Sequence, residues 1–199
     1  SFAATAILLD KLRDDDDNGP TVTLSLSGSS IAENGLSITL TATLSSTTSE
    51  DVVISFSSSG TGTEGTDYSN ISDITISAGN TTGTTSFTPT DDVIYEGDET
   101  AIIAIDTVSG GSATEDGDQS ATITITENES APVITISSSA SSVYDNGSDL
   151  TLTASSTVAA DENITVTLST DSVSALINSD YTLSSSTITI IAEQTSGTT

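Results

Sequence analysis

The sequence contains no cysteine, no histidine, no methionine and no tryptophan. Without Cys, a disulfide framework is excluded. Without His or Cys, most zinc and copper sites are excluded as well. General acid–base catalysis also loses its commonest agent. A Ser nucleophile needs a base, and Lys11 is the only Lys. Paired carboxylates serve glycosidases, but sugar sites usually add aromatic platforms, and here Tyr and Phe total seven, 4 plus 3. The chain is therefore read as not an enzyme. Basic residues are almost absent too, being only Lys11 and Arg13. Phosphate binding needs clustered Lys and Arg, so nucleic acid is excluded as a partner. Anionic membrane surfaces are excluded for the same reason. No stretch reaches the ~18 apolar residues of a membrane-spanning helix, so no membrane insertion is expected. The apolar run at residues 3–9 is short, and no basic segment precedes it as in a signal peptide.

What the chain has in excess is hydroxyl and carboxylate. Ser and Thr number 37 each among 199 residues, and the formal charge is −27. Hydrophobic residues make up 34%. This builds thin β-sandwiches with Thr and Ser on the outer faces, not a thick core, and asks for a stabiliser beyond apolar burial. Uncompensated carboxylates repel one another in a compact state. Disorder, high salt or bound cations are the three remedies, and the regular strand pattern argues against disorder.

Apolar residues alternate with Thr and Ser at Val22, Leu24 and Leu26, at Ile38, Leu40, Ala42 and Leu44, and at Val52, Ile54 and Phe56. The pattern returns at Ile74 and Ile76, Ile103 and Ile105, and Ala121, Ile123 and Ile125. Period-two alternation broken by Gly, Asn and Asp turns is the signal of half-buried strands. Such strands at roughly 10–15-residue spacing predict an all-β sandwich. Only residues 2–13 carry a weak helical stripe.

The chain also repeats. Pro20-Thr21-Val22-Thr23-Leu24 returns as Pro132-Val133-Ile134-Thr135-Ile136, a period of about 112 residues. Ile38–Ala42 matches Leu150–Ala154, Thr66-Asp67-Tyr68 matches Ser179-Asp180-Tyr181, and Gly83-Thr84-Thr85 matches Gly197-Thr198-Thr199. The predicted organisation is a first domain at 19–130, a partial second domain at 131–199, and a terminal segment at 1–18. Joined tail to head, Thr199 and Ser1-Phe2 restore the Thr85-Ser86-Phe87 motif, and 9–18 align with 121–130. Residues 1–18 are therefore expected to complete the second domain of a neighbouring copy, in a covalent array or by strand donation. The competing reading is a boundary without structural meaning.

Acidic residues concentrate in Glu33-Asn34-Gly35, Gly65-Thr66-Asp67-Tyr68, the run Asp91-Asp92-Val93-Ile94-Tyr95-Glu96-Gly97-Asp98-Glu99, and Glu127-Asn128-Glu129. Hard Ca²⁺ takes six to eight oxygens, often from flexible loops, whereas Mg²⁺ takes fewer protein ligands and keeps water. The alternative is solvated loop charge. The order Gly-Thr-Asp-Tyr, an Ile-x-Ile strand, then Phe87-Thr88-Pro89-Thr90-Asp91-Asp92 through Glu99, resembles the Calx-beta family. The resemblance covers nearly all of the first domain and about two-thirds of the second. It implies tandem immunoglobulin-like Calx-beta sandwiches that gather Ca²⁺ at one end. The matching positions are Glu33, Asp67, Asp91, Asp92, Glu96, Glu99, Glu127 and Glu129. The terminal segment departs from the family in reading Glu-Asn-Glu where consecutive Asp is common. The second domain matches only at Asp145 and Asp180, with Asp15, Asp16 and Asp17 of a neighbouring copy supplying its terminal acids. A solvated linker is the equal alternative for that run.

The expected function is a structural repeat unit of an extracellular filament or long cell-surface adhesin, stiffened by calcium at interdomain poles. Its partners are copies of itself, head to tail, with surface glycans or a host surface as further contacts through Gly-rich loops. The alternative is a spacer or ligand-binding module of a large secreted adhesin or enzyme without filament formation. Sequons at Asn70, Asn80, Asn128, Asn146 and Asn163 matter only where surface proteins are glycosylated.

Overall fold

The computed structural model describes residues 19–144, 147–171 and 175–199. Among these residues there is no helix, and the chain is all-β. The weak helical stripe at 2–13 lies outside the described residues. Ten strands come from the first two-thirds: β1 (Thr21–Leu26), β2 (Ser30–Ala32), β3 (Ile38–Leu44), β4 (Val52–Gly60), β5 (Ile74–Ile76), β6 (Thr82–Phe87), β7 (Ile94–Tyr95), β8 (Glu99–Ser109), β9 (Thr114–Glu115) and β10 (Ser120–Thr126). Six follow: β11 (Ile134–Ser138), β12 (Leu152–Ser156), β13 (Ala159–Ala160), β14 (Ile164–Thr167), β15 (Thr187–Ile190) and β16 (Ser196–Thr198).

The chain divides into two compact units. The first holds residues 19–31, 35–90 and 100–125. Its strands form a four-stranded sheet, β6-β3-β1-β9, and a five-stranded sheet, β2-β10-β8-β4-β5. Val22, Ile38, Leu40, Ala42 and Leu44 from the first sheet share one core with Val52, Ile54, Ile74, Ile76, Ile103 and Ile123 from the second. Strict alternation puts one side chain in two inward, so β3 reads buried and half-buried in turn along its length. A register shift at Ser55/Phe56, where Phe56 pairs with Ile105 and Ser55 with Thr107, leaves Asp106 as the extra residue and exposed. Past it the apolar position moves from 107 to Val108, which packs on the core. Tyr68 stacks on Phe87 at 4.7 Å and 30°.

Gly83 shows why β6 carries so little apolar surface. A Cβ there would meet Ile74 Cγ2 at 2.6 Å and Thr75 O at 3.0 Å, so the strand reaches β5 only without a side chain.

The second unit gathers Ala32–Asn34, Asp91–Glu99 and Thr126–Thr199. It contains the sheet β11-β12-β16, the hairpin β14-β15 and the short parallel pair β13-β7. In that pair Ile94 sits opposite Ala159 and Tyr95 opposite Ala160. Its core is small: Ala154, Ile188 and Ile190, with Ile134, Leu152, Ile164, Val166 and Leu168 half-buried around them. Ile136 is 52% exposed, whereas Leu24, 112 positions earlier, packs against the first core.

Candidate metal centre

Three short segments of the second unit meet around carboxylates. Glu33 follows β2, and its N–H donates to Thr126 O at 3.0 Å, which anchors the turn to the end of β10. Its side chain is only 5% exposed, and Oε1 accepts the Asp92 N–H at 3.2 Å. Glu127 and Glu129 follow β10. Each of Glu33, Glu127 and Glu129 brings a carboxylate oxygen within 4.8 Å of the other two.

The three acids differ in their surroundings. Burial pushes the Glu33 carboxyl up to about 7, against the Asp92 N–H, and the charges of Glu127, Glu129 and Asp92 add to the rise. Burial also disfavours charge on Glu127, but the N–H groups of Glu129, Glu96 and Gly97 outweigh it and hold that carboxyl at about 2. Glu129 is raised, first by a hydrogen bond shared with the Glu127 side chain, then by burial and by the charges of Glu127, Asp91 and Asp92. Glu129 Oε2 is buried and has no hydrogen-bond donor facing it. With both carboxylates ionised, acceptor faces acceptor, and only a proton or a cation relieves the contact.

Of the remaining acids among the described residues, only Asp67 is buried. Asp91 is exposed, and its Oδ1 accepts Asn128 Nδ2–H at 3.1 Å. Asp92 Oδ1 caps its own turn by accepting the Ile94 N–H at 2.6 Å. Glu96 and Glu99 are half-buried, three residues apart around the β7–β8 turn, with carboxylate oxygens within 4.8 Å of each other. Asp67 belongs to the first unit. It is 9% exposed, and its Oδ2 accepts the Thr63 N–H at 2.6 Å. Asp180 repeats that turn in the second unit: Oδ2 accepts the Leu176 N–H at 2.8 Å, and the residue is exposed. Asp15, Asp16, Asp17 and Asp145 lie outside the described residues.

Sequence reasoning missed two participants. Asp98 Oδ1 accepts the Glu127 N–H at 3.0 Å, and Asn128 reaches Asp91. Both stand inside acidic segments visible in the sequence. Nothing in residue type separates a carboxylate that holds backbone from one that faces a cation.

The residues present fit a hard divalent cation. The donor set is oxygen only, it is negatively charged, and one buried oxygen lacks a hydrogen-bond partner. Glu33, Glu127 and Glu129 are the side chains whose oxygens come together there.

Comparison with known proteins agrees with the motif order. The chain belongs to the Calx-beta domain family, whose model matches residues 15–129, more than half of the chain. No curated protein matches it. Among solved structures, the apo-form Calx CBD1 domain aligns at 18% identity and a TM-score of 0.46, over 54% of this chain and 98% of that one. CBD12 from CALX1.2 aligns at 15% identity and 0.46, over 89% and 74%. A two-domain protein of unknown function from Bacteroides fragilis aligns at 9% identity and 0.40, over 80% and 71%.

Proposed function

We propose that this chain is a non-catalytic, calcium-binding structural module, a repeat unit of an extracellular filament or long cell-surface adhesin. The observation that carries the calcium reading is the buried, donorless Glu129 Oε2 beside Glu33 and Glu127. Family membership supports it, since acids in these segments gather Ca²⁺ in Calx-beta domains. Calcium replaces the repulsion among these acids with attraction and so stiffens the segments that carry them. The charge of −27 gives a reason for such a stabiliser.

The filament reading rests on the internal repeat and on exposed apolar side chains in the second unit. Ile136 and Val143 are 52% and 58% exposed, while Leu24 and Ile31, 112 positions earlier, pack on the first core. Head-to-tail association of copies, by a covalent array or by donation of the segment 1–18, would cover them. Calorimetry of the calcium-stripped protein tests the first reading: heat of Ca²⁺ binding is expected, and its absence rejects the site. Imaging of native material tests the second. Regular fibres with one axial repeat per copy support it, and isolated particles at all concentrations favour a spacer or ligand-binding module instead.

A further inference from the structure

Glu127 differs from its neighbours in how its oxygens are used. Oε2 accepts the N–H groups of Glu96 at 2.6 Å and Gly97 at 2.9 Å. Oε1 accepts those of Asn128 and Glu129, both at 2.8 Å. An ionised carboxylate has about four lone-pair sites, so backbone N–H groups match all four, with the Glu129 side chain against it as well. A metal would have to break one of these bonds to coordinate it. The stitching also runs the other way, because Asp98 Oδ1 accepts the Glu127 N–H at 3.0 Å. Segments 96–98 and 127–129 therefore each accept the other's backbone.

The structure assigns Glu127 the role of a positioning residue that fixes the Glu96-Gly97 turn and Glu129 before a cation arrives, rather than that of a metal ligand. This rests on the calcium reading above and divides its acids into two jobs. Glu129, whose Oε2 has no donor, faces the ion. Glu127, whose four sites are filled, holds the frame. Residue type alone gives them the same role, and the hydrogen-bond pattern separates them.

The test is Glu127→Gln, studied by calorimetry with Ca²⁺ and by luminescence of bound Tb³⁺ in H₂O and D₂O. Gln offers one acceptor oxygen and places an NH₂ against N–H donors, so part of the frame is lost. Calcium affinity is expected to fall roughly 10- to 100-fold, as it does when a residue that orients ligands is changed. The number of ions and the number of waters on bound Tb³⁺ are expected to stay the same. An added water or a lost ion would make Glu127 a ligand and overturn the assignment. Unchanged affinity overturns it too, since a frame residue must matter to binding.

Amide exchange on the unmodified protein decides the matter if the variant does not fold. In chelator, the Glu96 and Gly97 amides are expected to be protected. If they exchange as open loop until Ca²⁺ is added, the frame is a product of the metal and the assignment fails. Protected amides with no heat on adding Ca²⁺ to the unmodified protein would instead reject the calcium reading, and the positioning role with it.

Discussion

Two glutamates, Glu33 and Glu127, bring carboxylate oxygens within 4.8 Å of each other yet differ in charge preference, and this sets the chemistry at the residue scale. Glu33 is driven toward its neutral form, to about 7, by burial. Glu127 is driven toward its charged form, to about 2. Their linkage to stability has opposite signs. For Glu33 the folded pKa lies above the unfolded one, so without metal its charging costs stability as pH rises from about 4.5 to about 7. For Glu127 stability is present above the unfolded value and is lost as pH falls toward about 2. In chelator, the melting temperature of the native protein is therefore expected to fall between about pH 5 and about pH 7.5, and Glu33→Gln is expected to flatten that fall. Melts at a series of pH values check this, and an unchanged profile would assign the slope elsewhere. If Ca²⁺ binds at the proposed site it competes with the proton on Glu33, so calcium affinity of the native protein is expected to rise across that range. Titrations at two pH values measure it, and a flat affinity would remove Glu33 from the site.

Elements show how closely backbone spacing controls this thin core. Gly83 in β6 faces Ile74 Cγ2 at 2.6 Å from where a Cβ would stand. Gly83→Ala is expected to destabilise the protein by about 1–3 kcal/mol through overpacking. Gly28→Ala is the control, because its Cβ would meet nothing nearer than 4.0 Å. Denaturant melts of both variants check the difference, and equal midpoints would mean that β6 moves freely. The strands themselves were largely legible. Val22, Ile38, Leu40, Val52, Ile54, Ile74, Ile76, Ile103 and Ile123 all alternate in sequence and all lie buried. Period two imposes this wherever one face is dry. Three features were not legible. The bulge at Ser55/Phe56 depends on the pairing partner, and Phe56 alone reads as a regular inward position. The pair β7–β13 involves two residues from each strand, too short for periodicity to mark. The candidate site was legible as a set of acids but not as a division of labour, because roles follow from which N–H groups surround each carboxylate. Glu33 and Asp67 are buried, which composition does not carry.

For the molecule as a whole, the balance lies between a small apolar core and a charge of −27. Diffuse repulsion and a specific cation site respond differently to salt, and that difference separates them. Raising NaCl from about 0.1 M to about 1 M shortens the screening length from about 10 Å to about 3 Å. In chelator, the melting temperature is expected to rise with NaCl, as repulsion between exposed carboxylates is screened. At the proposed site calcium would act on buried oxygens of Glu33 and Glu129, which mobile ions reach poorly. At free Ca²⁺ a hundredfold above Kd, one site adds about 2.7 kcal/mol. For a marginally stable domain that is a large fraction of the total. The calcium increment is therefore expected to persist in about 1 M NaCl, where general screening has saturated. Four melts, with and without calcium at low and high salt, decide it. If the increment disappeared at high salt, calcium would be acting as one more screening ion, and the enclosed oxygens would not be its site.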